Sequence, residues 1–245
     1  MIAHTRAELL KLRSTQTALL VLAGMSGLVG LVIAMHVLAP AAAEVTTRSS
    51  QLTVFEAGTR VAMLFAALTG ALTITAEIRY RTIRPTFLVT PRRGPVVAAK
   101  LAVGALTGAL SGLLAEALMT GAALAAFSAR DIDNQLGSGD YLQLLTGGSA
   151  AAALWAMIGV GVGAIVRNQV GALVGLFAWM LLLETLLLGF LPSIGRLAPG
   201  SAGLALAGET ADNLLAPAPA LLALTLYTIA IPAAGWLAVR RGEID

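Results

Sequence analysis

The chain has 245 residues, of which 58% are hydrophobic and only 12% charged, with a mean hydropathy of +0.85. Soluble domains carry about 25% charged residues, so this composition excludes a water-soluble globular protein and predicts one embedded in a lipid bilayer. The formal charge of +3 and pI near 9.8 would suit nucleic acid, but the cations are spread over four segments without an aromatic stacking platform, which argues against such a partner.

A bilayer core of about 30 Å needs about 20 apolar residues per helix, whereas the strands of a barrel would alternate in segments of about 10. The apolar runs here are long and do not alternate. They predict an all-α, polytopic membrane protein, a single transmembrane domain over residues 1–245 with six helices. In chain order these lie near residues 17–38, 57–76, 96–127, 143–166, 170–191 and 219–239. The third run is longer than a perpendicular span needs, so it tilts or emerges from the membrane at its outer end.

Orientation follows from lysine and arginine in the connections. One side collects Arg6, Lys11, Arg13, Arg79, Arg81, Arg84, Arg92, Arg93, Lys100, Arg167, Arg240 and Arg241, against Arg48, Arg130 and Arg196 on the other. Both termini are therefore expected in the cytoplasm of a bacterial plasma membrane protein. LAPAAAE at residues 38–44 resembles a signal-peptide cleavage site, but the preceding apolar run exceeds the 7–15 residues or so of such a signal.

Within the spans, small residues recur at helical spacing: Gly104, Gly108 and Gly112, then Gly159 and Gly163, then Gly171 and Gly175. In lipid, such stripes let helices approach closely, which predicts packing within the bundle or between copies. No glycine run leads into a P-loop, and neither HExxH nor GxSxG occurs. With no cysteine and only His4 and His36, thiol chemistry and a histidine metal cluster are not expected, and no bound cofactor or metal is either.

Charged side chains inside the spans are few: Glu56, Arg60, Glu116 and Glu184. Charges at that depth are costly and face a partner or a cavity. At 1.5 Å per residue, Arg60, Glu116 and Glu184 all fall in the outer half, where they either form an ion pair that pins helices or line a translocation path. Glu56 and Arg60 have a favourable i,i+4 spacing.

The most unusual stretch is EIRYRTIRPTFLVTPRRGPVVAAK, residues 77–100. A topogenic loop needs only two or three arginines, whereas this one also carries Thr82, Pro85, Pro91 and Gly94, the composition of a structured docking element for a soluble partner.

These residues resemble the permease subunits of type-2 ABC exporters, especially actinobacterial members. The resemblance rests on Glu77, Thr82, Ile83 and Arg84, then Arg92 or Arg93, then Lys100. Arg81 stands where relatives have glycine, so the local turn is expected to differ. AELLKLRST at residues 7–15 is similar to the family's cytoplasmic elbow (residues 1–16), and RRGEID at residues 240–245 to its tail. The segment 192–218 falls where the family has re-entrant extracellular helices.

The resemblance implies the type-2 exporter fold and export of a hydrophobic or amphipathic substrate such as a drug, lipid or peptide. It also implies a second permease, as homodimer or sister subunit, and two cytoplasmic ABC ATPases that carry ATP and Mg. Residues 77–95 become the coupling loop, with Glu77, Arg79, Tyr80, Arg81, Thr82, Ile83, Arg84, Pro85, Thr86, Arg92 and Arg93 as ATPase-coupling positions. Without a P-loop, this chain is not expected to be an enzyme by itself. An ion-coupled carrier, which needs midplane ligands such as Glu116 and Glu184, and a non-transporting scaffold are the alternatives.

Overall fold

The structure, a computed structural model, describes residues 5–8, 10–11, 16–37, 45–82, 93–209 and 213–241. Among them there is no strand. In an apolar medium every backbone donor and acceptor must be met inside the segment, and helices do this locally. The long elements are α1 (Gln16–Val37), α2 (Arg48–Arg79), α3 (Arg93–Ala129) and α4 (Ser138–Val166). A broken helix follows, made of α5 (Gln169–Ala178), a π-turn (Trp179–Leu183) and α6 (Glu184–Phe190). Two short helices, α7 (Pro192–Gly195) and α8 (Pro199–Ala207), lead to α9 (Pro217–Arg241).

Five of these helices are long and apolar enough to cross a membrane: α2, α3, α4, the broken helix over Gln169–Phe190, and α9. The chain is thus a polytopic helical membrane protein. The first predicted span coincides with α1, a helix of 22 residues. Element ends depart from hydropathy where polar residues take part in helix. The second helix begins at Arg48, nine residues before its apolar window, because Thr47 and Ser50 form a reciprocal capping box that starts it among hydrophilic residues. The third runs unbroken for 37 residues, about 55 Å at helical rise, and so exceeds a bilayer core of about 30 Å.

The centre of the bundle is α4, which packs against α2, α3, α8 and α9. Its glycines and alanines make this crowding feasible, since each neighbour's backbone comes within reach of its own. A Cβ added at Gly108 of α3 would lie 2.6 Å from the Ala152 carbonyl of α4, and one at Gly159 would collide with the Ala67 carbonyl of α2. Two of the three predicted stripes are therefore seams inside this chain. The third, Gly171 and Gly175, lies on an exposed face, and nothing stands within 4 Å of a Cβ built at Gly175.

Candidate functional site: a buried ion cluster and two buried acids

The basic end of the bundle is organised around Lys100. Placed two turns into α3, its side chain is only 2% exposed, a position that a lone ammonium could not hold. Its Nζ donates to Glu8 Oε2 at 2.8 Å and to the Thr73 carbonyl at 2.9 Å, and pairs with Glu77 Oε1 at 2.9 Å. All three ammonium protons thus have acceptors. Lys11 closes the arrangement, donating to Glu8 Oε1 at 2.8 Å and to Glu77 Oε1 at 2.6 Å. Two lysines and two glutamates neutralise one another and tie the N-terminal helical residues 5–8 and 10–11 to α2 and α3.

Burial pushes the Glu8 carboxyl up, yet the Lys100 charge and the hydrogen bonds from both lysines outweigh it and hold Glu8 below the ordinary glutamate range. Lys11 is the mirror case: burial pulls it down, and the hydrogen bonds and charges of Glu77 and Glu8 raise it above the usual lysine value.

Glu77 opens the turn that leaves α2. The helix ends at Arg79, and Arg81 takes φ +56°. Thr82 N donates to Glu77 O at 2.9 Å and Arg81 N to Ile78 O at 3.2 Å, the paired bonds of a Schellman cap. Arg81 thus occupies the left-handed position that glycine fits without steric cost. An arginine is thus held in a glycine-type conformation at this turn.

The predicted coupling positions divide by burial. Glu77 is 8% exposed and turned into the ion cluster, whereas Arg79, Tyr80, Arg81 and Thr82 are exposed. Ile83, Arg84, Pro85, Thr86 and Arg92 lie outside the described residues, as does the side chain of Arg93. The rest of the basic end is knit by Arg167, which donates to the Ala238 carbonyl, and by Arg79, which donates to Gln169 Oε1 at 3.4 Å.

Deeper in the bundle the two predicted acids differ in their surroundings. Glu184 is 1% exposed; its Oε1 accepts from Gly200 N at 2.9 Å and Trp179 Nε1 at 2.5 Å, and the Arg60 charge acts on it. Trp179 and Glu184 span the π-turn, whose i,i+5 bond runs from Glu184 N to Trp179 O. Gly200 is required here, since a Cβ would collide with Glu184 Oε2. Glu184 thereby holds the first turn of α8, a buried helix that Trp155 Nε1 also grips through the Pro199 carbonyl at 3.2 Å. Gly203 of α8 lies against Met63, about four turns into α2, so α8 packs within the bundle.

Glu116, by contrast, is completely buried and, among the described residues, has the Thr59 hydroxyl as its hydrogen-bond partner, at 2.7 Å. It forms no ion pair among the described residues. The side chain of Glu56 lies outside the described residues.

Sequence reasoning did not single out Glu8, Lys11 or Gln51. The first two were legible as an i,i+3 opposite-charge pair in an amphipathic elbow. Gln51 was not: fully buried, it donates to the Asp133 carbonyl and accepts from Gln135 N, both at 2.9 Å, and so fastens the 130–137 loop to α2.

No model of a known protein family and no curated protein matches this sequence. The functional reading therefore rests on the residues themselves.

Proposed function

We propose that this chain is the permease subunit of a type-2 ABC exporter, with α1 as a sixth span, both termini in the cytoplasm and the basic end facing the ATPases. The carrying observation is the cluster of Glu8, Lys11, Glu77 and Lys100. It brings the two ends of the basic loop, Glu77 and Lys100, together with the N-terminal segment. A loop rooted in that way transmits a push on its tip to α1, α2 and α3 at once, because neutralised buried charges cannot slide without separating.

Arg79, Tyr80 and Arg81 would then present cations and an aromatic ring to a cytoplasmic ATPase, which supplies ATP and Mg. A second permease completes the pore, and the α7–α8 hairpin forms the re-entrant outer gate. A hydrophobic or amphipathic cargo suits an apolar groove of about 260 Å³ lined by Met25, Phe65, Thr69, Ser111 and Leu114 between α1, α2 and α3.

The deciding experiment is copurification with a P-loop ATPase from native membranes, with the wild type beside Arg81→Glu/Arg84→Glu. Recovery of an ATPase with the wild type and its loss with the double reversal, at unchanged insertion, supports the reading. Transport without any associated ATPase favours an ion-coupled carrier, and no transport at all favours a scaffold.

A further inference from the structure

The unexplained group is Glu116. It lies sixteen residues beyond Lys100 on α3, about 24 Å along the helix. The Thr59 hydroxyl lies 2.7 Å from Glu116 Oε1 and 3.3 Å from the Phe55 carbonyl. One hydroxyl has one proton and two lone pairs, so it cannot make a full hydrogen bond to both oxygens as donor. If Glu116 is itself the donor, every proton finds a place: the carboxylic acid donates to Thr59 Oγ1, and Thr59 donates to Phe55 O.

The surroundings agree. Glu116 Oε2 has no hydrogen-bond partner and is shielded from solvent, a setting that penalises an ionised oxygen heavily. Among the described residues its neighbours supply no balancing cation. On α2 Thr59 faces it, while Arg60 acts on Glu184. On α4 Gly148 abuts it, and that helix has no ionisable side chain between Tyr141 and its C-cap Arg167; the nearby Asp140 is engaged by Arg48. Apart from Glu116 itself, α3 carries no ionisable residue after Lys100, and α1 carries none from Gln16 to Met35.

We propose that Glu116 is a proton-binding site inside the bundle, held as a neutral carboxylic acid at neutral pH and hydrogen-bonded through Thr59. Loss of that proton would leave a charge against Gly148, where a Cβ would lie only 2.7 Å from Glu116 Oε1. Ionisation therefore loosens the seam between α3 and α4. Proton binding here stands independently of any ATPase partner.

Infrared spectroscopy of the full chain in lipid vesicles at neutral pH, with isotope-labelled glutamate, tests the assignment directly. The wild type should show the carbonyl stretch of a protonated carboxylic acid, and Glu116→Gln should lack that band. In Thr59→Val the acid loses its acceptor, so the band should remain and move to higher frequency, which keeps the test valid even if Glu116→Gln folds poorly. A wild-type spectrum without a protonated-acid band, or a band untouched by both variants, overturns the proposal.

Discussion

At the basic end, two glutamates are buried beside two lysines, and Lys100 spends all its protons on Glu8, Glu77 and the Thr73 carbonyl. Deeper in the same bundle, Glu184 relies on a backbone amide, an indole and the field of Arg60, while Glu116 has only a threonine. The two regions answer one electrostatic problem in different ways. Where helix ends and a connecting segment meet, there is room for long lysines to converge; between glycine-packed helices there is none. Neutrality must then come from fixed dipoles or from a proton.

The sharpest way to break this contrast is Lys100→Met, which leaves two buried carboxylates to share Lys11 alone. It should destabilise the protein by about 3–5 kcal/mol, read by chemical or thermal unfolding in detergent. Adding Glu77→Gln should recover part of that loss, because the cost lies in the unpaired charge. No recovery would mean that Lys100 acts by packing alone.

A smaller effect is expected at Glu184. Glu184→Leu leaves the Gly200 amide and the Trp179 indole without their acceptor, at about 1–3 kcal/mol for each donor that stays buried. Hydrogen exchange at residues 199–207 should rise, while residues 5–11 remain protected. By comparison, removing the exposed Arg48–Asp140 pair should cost at most about 1 kcal/mol.

The pH response separates the regions next. Glu8 lies below its ordinary value, so its contribution is complete above about pH 4.3 and disappears as pH falls through its lowered value. Lys11 lies above its ordinary value, so its contribution is complete below about pH 10.4 and is lost as pH rises through its raised value. Docking of residues 5–11, followed by limited proteolysis, should therefore be flat across the neutral range and fail at both extremes. Release near neutral pH would contradict the cluster.

The smallest effect is at the turn. Arg81→Gly relieves a left-handed arginine, worth about 1 kcal/mol, partly offset by the greater freedom of glycine in the unfolded chain. A slight rise in melting temperature is expected, with no change at Lys100.

The sequence alone determined the class of protein, since apolar runs of this length have no stable state in water. It also determined the approximate course of the long helices and marked the glycines at positions 104, 108, 112, 159 and 163 as packing positions, because period and residue size are local properties. The prominence of the 77–100 stretch was equally legible as a density of cations. Tertiary structure alone decided which charges meet. Lys11 lies 66 residues from Glu77, and Lys100 lies 92 from Glu8, separations that no periodicity encodes. Likewise, Glu116 and Glu184, expected at a similar depth, have different partners. Rotation about each helix axis, the π-segment and the packing of α8 gave Glu184 the Gly200 amide and the Trp179 indole and left Glu116 with Thr59. Depth follows from counting along one helix, whereas partnership depends on how several helices face one another, and that is settled only by packing.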